Sequence, residues 1–440
     1  MYELMDELYP ITRSITGEGV RKTLKIIQNF IDLKIHEVPS GTKVFDWAVP
    51  QEWNIRDAYI MNDKNEKIID FRKSNLHVAQ YSKKIKKRIK LNELKKHIFT
   101  LPDQPNAIPY VTSFYNENWG FCMSNNQFQK LNDDEYIVNI ESEHKNGSLT
   151  YGEFVIEGES KEEILISTYV CHPSLCNDNL SGPVLATFLA EYLSKQKLHY
   201  SIRFLFIPET IGAITWLALN EDKIKNIFHG LVATCVGDSG ISTYKKSRDG
   251  NNIIDEVVIE VLKESGKPYK IMDFWPSGSD ERQYCSPAFN LPVGSLMRTP
   301  YDMFEEYHTS EDNLSFMNKE CLADSFFKYL SVIQKLEENF SHVKPERITL
   351  ENKKSVKNNP VFLNLFPKCE PRLGKRKIYE EIGGVKNQDS LKQKKAIQWI
   401  LNLSDGKHSL RDIQERSGLE FDMLFDMANL LENKKLLSHV

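Results

Sequence analysis

The chain has 440 residues, 40% of them hydrophobic, which is enough for two or three domains with real cores. A formal net charge of only −4 singles out neither nucleic acid nor an acidic membrane as partner, and no apolar run approaches the roughly 18–20 residues of a membrane-spanning helix. Seven scattered cysteines, an odd number, do not make a secreted disulfide framework and point to a reducing compartment, so a cytoplasmic protein is expected. Consistent with that expectation, Met1–Asp6 carries acids where an export signal needs positive charge.

Residues 1–42 read as helical, with Ser14–Gly19 as a polar break and an amphipathic helix over Val20–Phe30. Over 43–125 the pattern changes to short segments rich in aromatics and prolines, and we read an inserted β-rich module there. Its Trp47, Trp53, Tyr110 and Trp119 are expected to form the module's own core or to wall a pocket beside it. The basic run Lys83–Lys90, interrupted by Ile85 and Ile89, suits an edge with one solvated face. No RNA-binding aromatic motif accompanies it, so nucleic acid is not the expected partner.

The chemistry begins after Ile164–Val170, whose β-branched and aromatic richness reads as a central strand. The turn Cys171–Gly182 follows, then a helix over Pro183–Leu193. His172 and Asp178 therefore lie at the carboxyl end of a strand, where open α/β sheets bind their ligands. A second strand, Tyr200–Ile207, runs into Glu209 ahead of a helix over Ala213–Asn220. A third, Gly230–Val236, is followed by Asp238. Further on, His308 stands beside Tyr307 just before a helix expected near Leu314. Such an arrangement offers what a catalytic metal needs: ligands, a base and a group to stabilise an anion.

Residues 344–394 are rich in lysine and turn formers and read as a linker, with Pro360–Leu363 and Pro371–Leu373 as docking segments. Over 395–440 three helical stretches, Ala396–Leu403, Ser409–Ser417 and Glu420–Glu432, precede a wing strand in Lys434–His439, the pattern of a winged helix. The third stretch carries Glu420, Asp422, Asp426 and Glu432 and no arginine, so DNA phosphates would repel it. Protein docking or dimerisation is the expected use, and the insert and the winged helix both offer a surface for a homo-oligomer.

His172, the turn Asp178-Asn179-Leu180-Ser181-Gly182, Glu209 after an apolar strand, Gly278-Ser279-Asp280, and Tyr307-His308-Thr309-Ser310-Glu311-Asp312 follow one another in a recognisable order. In these residues the chain resembles the zinc-dependent aminopeptidases and the related glutaminyl cyclases. Its layout resembles a bacterial branch with a small inserted domain and a C-terminal winged helix. The resemblance implies a three-layer α/β/α sheet built from 1–42 and 126–343. It implies zinc, one ion or two, on His172, Asp178 and His308, with Asp238 as a further candidate. Glu209 would be the general base and Tyr307 the donor to the carbonyl oxygen. The implied reaction is hydrolysis of an amide next to a free amino group, in a peptide or a small aminoacyl substrate.

Two positions depart from the two-zinc pattern. Thr210 stands where those members carry a second glutamate, and the simplest alignment puts Thr234 where they carry an aspartate ligand. Asp238 replaces the latter only if the strand end is offset. Aminoacyl transfer or cyclisation on the same scaffold stays open, as does a non-catalytic metal-binding or regulatory protein.

Overall fold

The computed structural model describes residues 1–132, 134–338, 359–378 and 388–440. An eight-stranded mixed sheet runs in the order Lys34–Pro39, Ser148–Ile156, Ser201–Ile207, Glu163–Tyr169, Ile227–Val232, Val293–Met297, Ser242–Lys245, Tyr269–Met272. Its four central strands, from Ser201–Ile207 to Val293–Met297, are parallel, and Glu163–Tyr169 and Ser201–Ile207 are buried along their whole length. Side chains alternate across a strand, so Ile164, Ile166, Ile202, Phe204 and Phe206 pack on one face against the helices Glu18–Ile27, Ser181–Leu193, Ile253–Glu264 and Lys319–Glu338. Leu165, Leu205 and Ile207 face the other way, onto Ile211–Leu219 with its buried Trp216. The result is the three-layer α/β/α body expected from the motifs. Truncating one such core side chain, for example Phe204→Ala, would cost about 3–5 kcal/mol.

Several boundaries differ from the sequence reading. Lys34–Pro39, expected in a helical region, is the antiparallel edge strand against Ser148–Glu153; β-branched Ile35 and Val38 with a terminal proline suit that place. The inserted module extends past the expected border at 125. Its four-stranded antiparallel sheet, ordered Lys67–Asp70, Glu52–Met61, Glu135–Lys145, Ile85–Lys90, takes Glu135–Lys145, whose Tyr136, Val138 and Ile140 face the module's core. The basic run forms the edge strand of this sheet, with Ile89 buried and Lys86, Lys87 and Arg88 exposed. The helix expected near Leu314 starts at Lys319, because the Asn318 side chain accepts the Cys321 N–H at 2.9 Å and caps it there.

At the C-terminal end, Val361–Asn364, expected as a docking segment, is the middle strand of a three-stranded sheet between Asp405–Ser409 and Leu437–His439. Helices Gln388–Leu403, Leu410–Ser417 and Phe421–Asn433 complete a winged helix. A capping box between Ser409 and Asp412 starts the second helix and left-handed Gly418 ends it. The expected linker lies outside the described residues over 344–358 and 379–387. Among the described residues no helix is long and apolar enough to cross a membrane.

Candidate metal centre

Three loops at the carboxyl edge of the parallel strands meet at one point. The first leaves Glu163–Tyr169, places His172, and turns through Cys176–Leu180, where the backbone leaves helical geometry at Asp178 and Asn179. Gly182 lets that turn close: a Cβ there would lie 2.2 Å from the Ala233 carbonyl oxygen. The second loop presents Glu209 ahead of left-handed Thr210, φ 62°, an uncommon conformation for a β-branched residue. The third presents His308, also left-handed at φ 56°.

His172, Asp178 and His308 bring one ligand atom each to within 4.8 Å of one another. His172 Nδ1, Asp178 Oδ2 and His308 Nε2 are buried and have no hydrogen-bond partner. Asp178 Oδ2 and His308 Nε2 lie 3.0 Å apart without the alignment of a hydrogen bond, so both face a shared point. Buried polar atoms are almost always satisfied, and a set of two imidazoles and a carboxylate is what a divalent metal would satisfy. Electrostatics prepare the ligands. Burial pulls His172 down to about 4, Asp178 opposing and His308 and Arg13 adding to it, so the ring is neutral and able to coordinate. Burial pushes Asp178 up, but His172, His308 and the Tyr169 hydroxyl outweigh it and hold the carboxylate at about 2.

Glu209 Oε2 lies 3.7 Å from His172 Nε2. Burial, then the charges of Asp280 and Asp178, push its pKa well above the ordinary carboxylate value, which favours proton acceptance and return near neutral pH. Asp280 accepts the Thr210 N–H at 2.6 Å and so fixes the turn behind Glu209. The Tyr307 ring stacks on His308, with centroids 3.9 Å apart and planes at 14°.

Four further residues shape the centre; the sequence offers Tyr110 as a possible pocket wall and Asp312 only as part of the His308 motif, and gives Tyr169 and Arg13 no part in it. Tyr169, at the end of its strand, donates its hydroxyl to Asp178 Oδ1 and lies 2.6 Å from Thr234 Oγ1. Asp312 accepts the backbone N–H of Asn177 at 2.6 Å and of Asp178 at 2.9 Å, tying the His308 loop to the Asp178 loop. Burial, opposed by those amide bonds, raises its pKa to about 8. Arg13 donates to the carbonyls of His172 and Pro173, both at 2.7 Å, and of Leu8 at 2.6 Å. Tyr110, from the insert, packs edge-on against His172 at 5.2 Å and His308 at 5.1 Å, and its N–H donates to the His308 carbonyl at 2.8 Å. Of the four insert aromatics, Trp119 lies in the module's core, while Tyr110 walls the site. The one signal in the sequence was the position of the insert, near the mouth of the sheet.

Asp238 corrects an expectation. It does not join the three ligands, because its carboxylate is already satisfied by the Thr299 hydroxyl at 2.6 Å, the N–H of Gly240 at 2.6 Å and of Thr299 at 3.1 Å, and Asn177 Nδ2 at 3.0 Å. Its strand ends at Val232, and Asp238 lies past the loop that carries Thr234. Beside the His308 loop a cleft of about 460 Å³ runs along the seam with the insert, lined by Gln104 and Asn106 on one side and Glu305, Glu306 and Glu311 on the other.

The family model described as "Domain of unknown function (DUF4910)" matches residues 2–339, and a winged helix-turn-helix model matches residues 360–439. A Clostridium acetobutylicum protein named "Putative polysaccharide biosynthesis protein with aminopeptidase-like domain" is 55% identical over 440 residues, covering 100% of this chain and 96% of its own. A crystal structure of a "putative peptidase" from Clostridium acetobutylicum, 54% identical, has a TM-score of 0.76 and covers 100% of this chain and 96% of that one. A zinc aminopeptidase from Bacillus subtilis shares the fold at 12% identity with a TM-score of 0.58, over 77% of this chain and 95% of that one. With an aminopeptidase-like body, an inserted sheet and a C-terminal winged helix, this chain belongs to the DUF4910 family.

Proposed function

We propose that the chain is a zinc-dependent hydrolase that cleaves an amide next to a free amino group. One observation carries the reading: three buried ligand atoms without hydrogen-bond partners converge beside a half-buried glutamate. His172, Asp178 and His308 would hold the ion, which when bound supplies Lewis-acid activation of water and of the scissile carbonyl. Glu209 takes the proton from the attacking water and returns it to the leaving amine. Tyr307, held flat on His308, donates its hydroxyl toward the carbonyl oxygen as negative charge develops there. Arg13, Asp312 and Tyr110 keep the loops in place around these groups.

The Clostridium relative's name adds a reading of the substrate: an aminoacyl or N-acyl conjugate of a saccharide as well as a peptide. The acidic cleft beside His308 supports a positively charged amine over an anionic one. The scattered, unpaired cysteines support a reducing, cytoplasmic setting. Elemental analysis for zinc, followed by hydrolysis of aminoacyl chromogenic amides and aminoacylated amino sugars with and without chelator, tests the proposal. Chelator-sensitive release is the expected outcome. Zinc bound without turnover of any conjugate would leave a metal-binding protein and refute the hydrolase.

A further inference from the structure

We propose that the centre is built for a single metal ion, with the Tyr169 phenol leaving Asp178 only one oxygen for coordination. The inference rests on the metal-dependent reading above and deepens it. A bridging carboxylate needs both oxygens free, one for each ion. Here Oδ2 is buried and unpartnered, 3.0 Å from His308 Nε2. Oδ1 instead accepts the Tyr169 hydroxyl. That phenol has one proton and spends it on Asp178, so the Thr234 hydroxyl, 2.6 Å away, donates to the phenol oxygen. The ring is buried and packs edge-on to His172 at 5.1 Å, which fixes its direction.

The opposite side is closed as well. Thr210 Oγ1 accepts from Arg282 Nη2 at 3.0 Å, so a guanidinium stands beside the position where two-zinc members carry their second glutamate. Among the described residues no other histidine, cysteine or acid joins the group of three. Charge decides the matter. One dication on two neutral imidazoles and one carboxylate leaves a net charge of about +1, whereas two would leave about +3 in a buried site, offset by Glu209 and only at longer range by Asp280 and Asp312. The hydroxyls of Tyr169 and Thr234 are neutral and cannot make up that difference. Tyr169 is thus a positioning residue: it orients a ligand and excludes a second ion without touching substrate.

The test titrates zinc, and separately cobalt, into the chelator-stripped full-length protein, with stoichiometry read by calorimetry and by elemental analysis after gel filtration. One ion per chain is expected. Outer hydrogen bonds to metal ligands typically govern affinity by 10–100-fold, so Tyr169→Phe should bind one ion about 10–100-fold more weakly and shift the visible absorption of bound cobalt. Thr234→Val, which removes only the support behind the phenol, should weaken binding less. Two ions per wild-type chain would overturn the inference and leave the hydrolase reading standing. No ion at all would remove both. Wild-type affinity and an unchanged cobalt spectrum in both variants would refute the role given to Tyr169.

Discussion

Replacing Arg13 by methionine tests whether the metal centre is held from below by the N-terminal segment. The guanidinium is 1% exposed and donates to three carbonyls at 2.6–2.7 Å, two of them in His172 and Pro173. Methionine keeps the unbranched apolar stem, so the loss is confined to those bonds. Hydrogen bonds from a charged donor contribute about 1.5–3 kcal/mol each, roughly 5–9 kcal/mol for three. Against this, burial lowers the Arg13 pKa to about 10, a penalty on the cation of about 3 kcal/mol at 1.36 kcal/mol per unit. Methionine escapes that penalty, so the expected net loss is about 2–6 kcal/mol. Urea unfolding of the metal-free protein measures it. Because two of the carbonyls flank the His172 side chain, zinc affinity should fall about 10–100-fold in the same variant. Arg13→Lys, with its compact head reaching fewer carbonyls, should lie between. A stability change below about 1 kcal/mol together with unchanged zinc affinity in Arg13→Met would show that the carbonyl clamp does not set the position of His172.

Glu209→Gln should lower turnover by about 10²–10⁴-fold while zinc content stays that of the wild type; activity within a factor of three would rule Glu209 out as the base. Asp238→Asn should leave zinc content unchanged and cost about 1–3 kcal/mol, since an amide NH₂ would confront a donor among Gly240, Thr299 and Asn177; loss of zinc would restore Asp238 as a ligand. His229 gives a pH signature away from the centre. Burial alone pulls it from 6.5 to about 4, so between those values the unfolded chain binds more protons and stability falls as pH falls, by about 2–3 kcal/mol from pH 7 to pH 4.5. In His229→Phe that part of the acid loss should vanish from the urea midpoints, and an identical acid profile in both proteins would refute it.

The strand-end residues were legible because a parallel sheet collects its loop ends on one edge, so any His, Asp or Glu following a buried strand is brought toward the others. That argument reaches His172, Asp178 and Glu209, and the resemblance adds His308 and Tyr307. It fails at Asp238, because the sequence does not reveal that the loop after Val232 turns the carboxylate into its own backbone amides and Thr299. Tyr169 was hidden for a different reason. An aromatic residue in a buried strand reads as core, and its hydroxyl acquires a role only when the loop after the neighbouring strand sets Thr234 across from it. Arg13 and the partners of Glu135–Lys145 are likewise nonlocal: their contacts lie far along the chain, and no local period encodes them.

The winged helix shows the same distinction between what a motif resembles and where its side chains go. A duplex reader turns arginines outward to phosphate. Here Arg416 donates to the Arg248 carbonyl at 2.8 Å, and Arg248, from the α/β/α body, reaches Asp405 at 2.6 Å and both the side chain and the carbonyl of Asn402. Ahead of the first helix, Arg376 pairs with Asp46 of the insert at 2.5 Å and Arg372 lies over the Tyr115 ring at 4.4 Å. Just before them Glu370 pairs with Arg282 at 2.7 Å, and its carbonyl accepts the Trp47 indole N–H at 2.6 Å. Arg282 in turn holds Thr210, next to Glu209. Arg372, Arg376 and Arg416 are spent on joining three modules, Arg411 stays on the surface over the Phe421 ring, and Asp422, Asp426 and Glu432 remain on the helix that would have to enter a groove. This supports the module as a clamp. The segment leading into it ties the insert to the loop that carries Glu209, so the two accessory modules meet the walls of the candidate centre through a shared set of contacts.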